Sequence, residues 1–284
     1  MNEYKEHQEA VTKLVWLDNE TIISASGAAS TIDKGQVSHT VRVWKAKDGT
    51  TIANYATPEG TVPFSWSPDG KRILSVERTI DANGIAELGL VNQEVWEAST
   101  GKVLAIHQGQ FLMSNIDFAW SPDGKYIVTT SSMGGGAGAP PEDFRIDVWE
   151  SASGQGVITN PAGERDGICV SWQPKGMWVV SGHVDGYARI WEALTGKQVQ
   201  IFQPGNGSVL ALDWSPDGKR IGASIGSFQA LGYPTDISVW DIEQKKVLGI
   251  YEKHSNYVRS LKWSPDGMRM ASTDSTTVHI WQAA

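Results

Sequence analysis

Tryptophan recurs at two fixed places in a repeated unit, and this recurrence constrains the fold more than any other feature. The chain has 284 residues and 13 tryptophans. Six of these end an apolar segment, and six more close a later segment of the same unit. The two series are Trp16, Trp66, Trp120, Trp172, Trp214 and Trp263, and Trp44, Trp96, Trp149, Trp191, Trp240 and Trp281. Only Trp178 stands outside them, so the sequence predicts a periodic array of six units.

Each unit has the pattern of four short strands joined by tight turns. Four tryptophans of the first series open the turn Trp-Ser-Pro-Asp-Gly, at residues 66, 120, 214 and 263. Proline presets φ in such a turn and glycine accepts the left-handed conformation that ends it, so the flanking strands form a hairpin. A third strand ends at the second tryptophan, and a glycine five residues later, such as Gly49 or Gly196, predicts the turn into a fourth strand.

Four-stranded units repeated in this way can close as a sandwich, a barrel or a propeller, and the repetition favours the propeller. The Trp-Ser-Pro-Asp-Gly turn, the segment from Ser181 to Trp191 and the pair Trp240-Asp241 resemble the WD-repeat β-propeller family over nearly the whole chain. In bacterial proteins of that family, such arrays are often appended to kinase or other signalling domains. The resemblance therefore implies a bacterial-type WD-repeat protein that is one part of a longer chain.

We expect an all-β, six-bladed β-propeller of four-stranded antiparallel blades, in a single domain over residues 1–284. The predicted blades are approximately 5–55, 56–108, 109–161, 162–203, 204–251 and 252–284 with 1–4. By the family's habit the N-terminal segment completes the last blade, and only Met1 to Tyr4 are available for it. The ring is thus expected to close at the seam of the two termini with a short outer strand. This edge invites pairing with another chain or self-association.

Composition and charge disfavour several kinds of partner. The chain has 24 Lys and Arg against 32 Asp and Glu, a net charge of −8, so we expect no nucleic-acid partner. No apolar run is long enough to span a bilayer, and the first residues lack the pattern of a signal peptide, so we expect a cytoplasmic protein without a membrane partner. The single cysteine, Cys169, is expected to be a buried, inert thiol.

The family resemblance also implies a hydrogen-bond network of His, Ser or Thr, Asp and Trp within each blade, and here that network is incomplete. Gly163 occupies the histidine position of blade 4. We interpret the members that are present as structural rather than catalytic, because paired polar groups are common in folded cores. They are His7 in blade 1, Ser181, Asp185 and Trp191 in blade 4, and His254, Ser272, Asp274 and Trp281 in blade 6.

Length variation along the array predicts where a partner binds. From a second-series tryptophan to the next first-series tryptophan the distance is 22 to 24 residues, whereas within a unit it is 18 to 30. The extra residues therefore lie between the second and third strands, whose hairpins project from one face of a propeller. Loops held on a rigid scaffold lose little entropy on docking, so we expect a non-catalytic scaffold that binds a protein or peptide with this face.

The predicted partner-binding residues are loop side chains of kinds that anchor interfaces. They are Phe111, Leu112, Met113, Arg165, Asp166, Asn206, Phe228, Tyr233 and Tyr257. Other interpretations are open for them: a solvated cluster for the charged residues, and packing under a loop or against a neighbouring blade for the apolar and aromatic ones.

Motifs for catalysis are missing from the sequence. It contains no His-Glu-x-x-His, cysteine pair, Gly-x-Ser-x-Gly or Walker motif. We therefore expect no enzymatic activity, no cofactor and no metal site. Two alternatives are left open. One is an enzyme or metal-dependent site at the central pore, where Asp117 and Asp213 are the available carboxylates. The other is a small-ligand, sugar-binding module.

Overall fold

The described part of the chain is built from β-strands. A computed structural model describes residues 2–7, 11–26, 40–56, 62–80, 86–110, 117–132, 144–159, 167–227, 235–256, 258–274 and 276–283. Every regular element in these ranges is a strand. None of the described residues forms a helix long and apolar enough to cross a membrane.

The strands form six antiparallel sheets of four. An N-terminal strand and the first three blades comprise β1 (Asn2–Tyr4); β2 (Val11–Trp16), β3 (Thr21–Ser26), β4 (Thr40–Lys45) and β5 (Thr51–Ala56); β6 (Val62–Trp66), β7 (Arg72–Ile80), β8 (Ala86–Glu97) and β9 (Val103–Gln110); and β10 (Asp117–Trp120), β11 (Tyr126–Ser132), β12 (Phe144–Glu150) and β13 (Gly156–Thr159). The last three comprise β14 (Gly167–Trp172), β15 (Trp178–His183), β16 (Ala188–Glu192) and β17 (Gln198–Phe202); β18 (Ser208–Trp214), β19 (Arg220–Gly226), β20 (Asp236–Asp241) and β21 (Lys246–Tyr251); and β22 (Val258–Trp263), β23 (Arg269–Asp274) and β24 (Thr277–Gln282).

Six four-stranded antiparallel blades confirm the predicted fold class, a six-bladed β-propeller. The chain divides into two compact units. The first comprises residues 1–59, 185–187 and 202–284 and holds blades 1, 5 and 6. The second comprises residues 60–184 and 188–201 and holds most of blades 2, 3 and 4. The single domain over residues 1–284 and the predicted blade limits stay predictions.

The N-terminal strand completes the last blade, as the sequence predicts. Blade 6 has the strand order β1-β24-β23-β22, in which Asn2 pairs with Ile280 and Tyr4 pairs with Val278. This outer strand has 3 residues, whereas the outer strand of blade 5 has 6. The seam is therefore closed by a short strand drawn from the opposite end of the chain.

The Ser-Pro-Asp-Gly turns share one hydrogen-bond pattern. In the first of them, Ser67 Oγ donates to Asp69 Oδ1 at 2.6 Å and accepts from the backbone N–H of Arg72 at 2.9 Å. Gly70 then adopts a φ of 68°, a left-handed value that glycine reaches without strain. Ser121, Ser215 and Ser264 make the same contacts in blades 3, 5 and 6. The repeated sequence thus gives a repeated turn.

Four of the third-strand tryptophans are covered by flat rings from outer strands. Tyr4 stacks on Trp44 with 4.2 Å between ring centroids and 4° between planes, and Tyr251 stacks on Trp281 at 4.4 Å. Further stacked pairs are Phe202 on Trp240 at 4.7 Å and His107 on Trp149 at 4.8 Å. Because Tyr4 lies in blade 6 and Trp44 in blade 1, the pair joins two blades. Such pairs contribute about 0.5–1.5 kcal/mol beyond their buried area.

Four first-strand tryptophans are covered by a side chain from the preceding blade, which stands six positions after that blade's own first-strand tryptophan. Arg220 lies over Trp263 at 4.7 Å, and Arg72 lies over Trp120 at 5.2 Å. In blade 3 this position holds Tyr126, which stacks on Trp172 at 6.5 Å. Trp178 occupies the same position in blade 4, and its strand pairing with Glu192 matches that of Tyr126 with Glu150. The tryptophan outside the two series is thus an aromatic variant of this covering position.

Replacing Tyr4 with alanine is expected to lower the free energy of unfolding by about 3 kcal/mol, because the ring over Trp44 and the anchor of β1 are both lost. Tyr4→Phe is the matched control. It keeps the ring and removes only the hydroxyl contacts, which include Thr51 Oγ1 at 2.9 Å, so its expected loss is about 1 kcal/mol. Chemical denaturation measures both variants, and equal losses would show that the stacked ring does not secure the seam.

Candidate functional site

One predicted partner-binding residue lies among the described residues. Asn206 is exposed in the turn between β17 and β18. The other eight lie outside the described residues, and their roles stay predictions: Phe111, Leu112, Met113, Arg165, Asp166, Phe228, Tyr233 and Tyr257.

The connections between second and third strands differ in length from blade to blade. They run from Ser26 to Thr40 in blade 1 and from Ser132 to Phe144 in blade 3, but only from Asp274 to Thr277 in blade 6. In blade 2 the additional residues lengthen the strands themselves, since β7 has 9 residues and β8 has 12.

Asn206 lies near one of these connections. Ser208 pairs with Gly226, so the turn that carries Asn206 reaches the same end of the blade-5 sheet as the connection from Gly226 to Asp236. This follows from antiparallel order, in which a strand begins where its neighbour ends.

In blade 6 the structure brings together the four predicted network residues. Ser272 Oγ accepts a hydrogen bond from Trp281 Nε1 at 3.0 Å and lies 2.7 Å from His254 Nε2. The other ring nitrogen, His254 Nδ1, is 3.3 Å from Asp274 Oδ2. All four side chains are buried. One cluster is thus formed by the serine and the aspartate of the second strand, the indole of the third strand and the histidine that precedes the first strand.

Blade 1 builds the same cluster around His7. Its Nε2 lies 2.7 Å from Ser24 Oγ, and its Nδ1 lies 2.9 Å from Ser26 Oγ. Trp44 Nε1 donates to Ser24 Oγ at 2.9 Å. The two serines were not identified from the sequence, because the turn of blade 1 is one residue shorter and displaces them from the expected spacing.

Blade 4 uses a histidine that sequence reasoning missed. Trp191 Nε1 donates to Ser181 Oγ at 3.2 Å, and that oxygen lies 2.8 Å from Nε2 of the buried His183. The expected histidine position, Gly163, lies outside the described residues. Asp185 is exposed in the turn after β15, where its Oδ1 accepts from the backbone N–H of Tyr187 at 3.0 Å. The spacing Ser-x-His within one strand is the signal that could have identified His183.

Blade 5 lacks the serine. In blade 6, Ser272 lies two positions after Met270, which is the strand partner of Trp281. In blade 5 the corresponding strand partner of Trp240 is Ile221, so the position equivalent to Ser272 is held by Ala223. Alanine has no hydrogen-bond acceptor in its side chain. Trp240 Nε1 is accordingly buried without a hydrogen-bond partner among the described residues.

Burial sets the charge of these clusters. It lowers the pKa of His7 to about 4, with the positive charge of Arg42 as a second cause, so His7 is neutral at pH 7. Burial also lowers the pKa of His254. For Asp274, burial raises the pKa, but the close contacts with His254 and His279 and the hydrogen bond from the backbone N–H of Ser255 outweigh burial and hold the pKa well below its usual range. The blade-6 cluster therefore contains an ionised carboxylate.

The two carboxylates of the pore-site alternative are engaged by hydrogen-bond donors. Asp117 Oδ2 accepts from the backbone N–H of Val170 at 3.0 Å. Asp213 accepts from Lys262 Nζ at 2.7 Å and from the backbone N–H of Trp263 at 3.0 Å. Each carboxylate thus links its first strand to the first strand of the next blade. This geometry gives the alternative of a metal-dependent pore site no support.

Installing the missing serine is expected to stabilise the protein. Ala223→Ser places a hydroxyl where it can accept from Trp240 Nε1, and the expected gain in the free energy of unfolding is about 1 kcal/mol. The control is the same substitution in a Trp240→Phe background, which has no indole N–H, so the gain should vanish there. Urea unfolding of the four proteins gives the coupling energy, and a gain of the same size in both backgrounds would exclude the proposed bond.

Acid is expected to destabilise the protein through His7. Its folded-state pKa of about 4 lies below its unfolded value of 6.5. The contribution of neutral His7 to the free energy of unfolding is therefore complete above pH 6.5. It is lost as the pH falls towards 4, at up to about 1.4 kcal/mol per pH unit. The free energy of unfolding, measured from pH 7 to pH 4, should fall less steeply in His7→Gln than in the native chain. Parallel curves would contradict the buried neutral state of His7.

Two family models match parts of the chain. The model "WD domain, G-beta repeat" matches residues 245–282, and the model "Anaphase-promoting complex subunit 4 WD40 domain" matches residues 146–223. Neither description names a catalytic family.

Several curated eukaryotic proteins are similar to the chain. Eukaryotic translation initiation factor 3 subunit I of Botryotinia fuckeliana is 25% identical over 61% of this chain and 50% of its own length. Transcription initiation factor TFIID subunit 5 of Caenorhabditis elegans is 28% identical over 71% of this chain and 26% of its own length. Ribosome biogenesis protein ERB1 of Phaeosphaeria nodorum is 39% identical over 26% of this chain and 10% of its own length.

The chain spans about half the length of the initiation-factor subunits that it matches. Because these relatives are eukaryotic, they do not support the expectation of a bacterial-type protein. Together with the six blades, the two family matches support a WD-repeat β-propeller.

Proposed function

We propose that this protein is a non-catalytic scaffold that binds a protein or peptide partner. The observation that carries the proposal is the similarity to WD40 repeats together with the names of two relatives, which are subunits of translation initiation factor 3 and of TFIID. A subunit is held in its assembly by contacts with other chains. The buried histidines of blades 1, 4 and 6 contact serine hydroxyls within their own blades, which is a structural use of these groups.

The proposed docking surface is the end of the blades that carries the connections between second and third strands. The Ser-Pro-Asp-Gly turns at the other end of the sheets repeat nearly unchanged in four blades. The second-to-third-strand connections vary in length between blades. Variable loops on a repetitive scaffold are where binding specificity is usually located. The sequence assigns the nine predicted partner-binding residues to loops at this end, and Asn206, the one that lies among the described residues, is exposed.

Further parts of the proposal rest on the sequence. The net charge of −8 favours a protein partner over a nucleic acid. From the sequence we also propose a cytoplasmic location, the absence of a membrane partner and self-association at the β1 edge.

Affinity purification of the tagged chain from its native cells, with quantitative mass spectrometry, tests the docking surface. We expect Arg165→Ala and Tyr257→Ala to reduce capture of a specific partner about tenfold or more, as loss of an interface anchor of 1.4 kcal/mol or more would do. The purified partner should then bind the native chain directly, and the two variants correspondingly more weakly.

Matched controls lie at the other end of the sheets. Lys71→Ala and Lys125→Ala remove exposed side chains beside the Ser-Pro-Asp-Gly turns of blades 2 and 3. Both control variants should capture the partner as well as the native chain. Unchanged capture by Arg165→Ala and Tyr257→Ala, or loss of capture in the two lysine variants, would contradict the proposed surface.

A further inference from the structure

Blade 6 has the same hydrogen-bond cluster as blade 1, but two of its side chains are replaced by residue types that bind metals. Tyr4, His7, Ser24 and Trp44 correspond to Tyr251, His254, Ser272 and Trp281, and make equivalent contacts. The carboxylate Asp274 replaces Ser26, two residues after the shared serine. His279 replaces Arg42, each being the strand partner of that serine.

The two histidines face the two oxygens of one carboxylate. His254 Nδ1 lies 3.3 Å from Asp274 Oδ2, and His279 Nε2 lies 3.6 Å from Asp274 Oδ1. The three ligand atoms all lie within 4.8 Å of one another, and the three residues are buried. Ligands at about 2.0–2.1 Å from a tetrahedral Zn²⁺ ion are roughly 3.3 Å apart. The two contacts between a histidine and the carboxylate are already close to this spacing.

The far nitrogen of each ring is held by a hydroxyl group. His254 Nε2 lies 2.7 Å from Ser272 Oγ, and His279 Nδ1 lies 3.0 Å from the hydroxyl of Tyr251. Histidines that bind metals nearly always have such an anchor on the nitrogen away from the metal, because it fixes the tautomer and the ring orientation.

His254 Nδ1 faces the carboxylate in a contact that is longer than its counterpart in blade 1. The His254 side chain is 0% exposed, and this nitrogen lies 3.3 Å from Asp274 Oδ2 without the alignment of a hydrogen bond. In blade 1 the corresponding nitrogen of His7 lies 2.9 Å from Ser26 Oγ. A metal ion between His254 Nδ1 and the carboxylate would give this nitrogen a well-aligned partner.

We propose that His254, Asp274 and His279 form a binding site for a divalent transition-metal ion, with Zn²⁺ as the expected ion. Two imidazole nitrogens and one carboxylate are a usual zinc ligand set, which leaves a fourth position for water. When the ion binds, His254 Nε2–H donates to Ser272 Oγ and the Nδ1 lone pair faces the metal.

The site is at the seam of the chain. Glu3 of β1 is the strand partner of His279, and Tyr251, which anchors His279, stacks on Trp281. An ion held by β23, β24 and the segment before β22 therefore ties together the sheet to which β1 attaches. Binding to the folded chain should raise its resistance to unfolding, by a shift that grows with the free metal concentration.

Isothermal titration with Zn²⁺ and the visible spectrum of bound Co²⁺ test the proposal on the full chain after treatment with a chelator. We expect one ion per native chain at micromolar or lower concentration, with the intense Co²⁺ absorption of tetrahedral coordination. His279→Arg and Asp274→Ser reproduce the blade-1 side chains and should abolish this binding. Tyr251→Phe keeps the ring stacked on Trp281 but removes the anchor of His279, and should weaken the affinity about tenfold.

The reciprocal variant keeps the test decisive if a blade-6 substitution prevents folding. Ser26→Asp with Arg42→His installs the blade-6 ligands in blade 1 and should add a second ion per chain. Failure of the native chain to bind Zn²⁺ or Co²⁺ would overturn the proposal. So would binding that persists unchanged in folded His279→Arg, because this would place the ion elsewhere on the chain.

Discussion

The buried indole of the third-strand tryptophan is the interaction on which the rest of the structure depends. In blade 1 the ring of Trp44 lies against Tyr4 from the N-terminal strand, while its N–H donates to Ser24 on the neighbouring strand. One side chain thus links two strands of its own sheet and a strand of another blade. Dispersion and apolar burial act on its face, and a directional hydrogen bond acts on its edge. The regular spacing of tryptophans in the sequence therefore corresponds to a regular spacing of contacts between strands and between blades.

The blades differ in the histidine and serine side chains that accompany the third-strand tryptophan in its hydrogen-bond cluster. Blades 1 and 6 use a histidine before the first strand, and blade 4 uses His183 from the second strand. Blade 5 has Ala223 where the serine stands and leaves an indole N–H without a partner among the described residues. A buried polar network stabilises only as far as its members are satisfied. The same scaffold can therefore carry complete, reduced or, in blade 6, enlarged clusters.

The fold could be predicted from the sequence because its determinants are local and repeated. Two tryptophan series and the turns at Ser67, Ser121, Ser215 and Ser264 mark the strand ends, and Met1 to Tyr4 could be assigned to the last blade by counting. The side chains that surround each indole were harder to predict. Tyr4, Phe202 and Tyr251 each stand twelve residues before a first-strand tryptophan, but they act across blades, and that contact has no signal within one unit.

The candidate sites show the same contrast. Ser272, His254 and Trp281 were found through their spacing, whereas His279 was missed because its relation to Asp274 depends on strand register. The spacing of the two tryptophan series does not account for Trp178, but strand pairing places it in the position of the arginines that cover first-strand tryptophans. The φ of 53° at Lys245 shows that a lysine can take the left-handed position where blades 1 to 4 have glycine. Spacing in the sequence therefore identifies strands, and pairing between strands identifies sites.

Substituting phenylalanine for tryptophan in three blades can separate the stabilisation that comes from the indole N–H from the stabilisation that comes from the face of the ring. Trp44, Trp149 and Trp281 all have a ring stacked on them, but only Trp44 and Trp281 donate to a serine, while Trp149 Nε1 has no partner among the described residues. In equilibrium unfolding, Trp44→Phe and Trp281→Phe should each lose about 1 kcal/mol more than Trp149→Phe. Equal losses in the three variants would contradict the view that this hydrogen bond and the stacked ring act together to hold the blades.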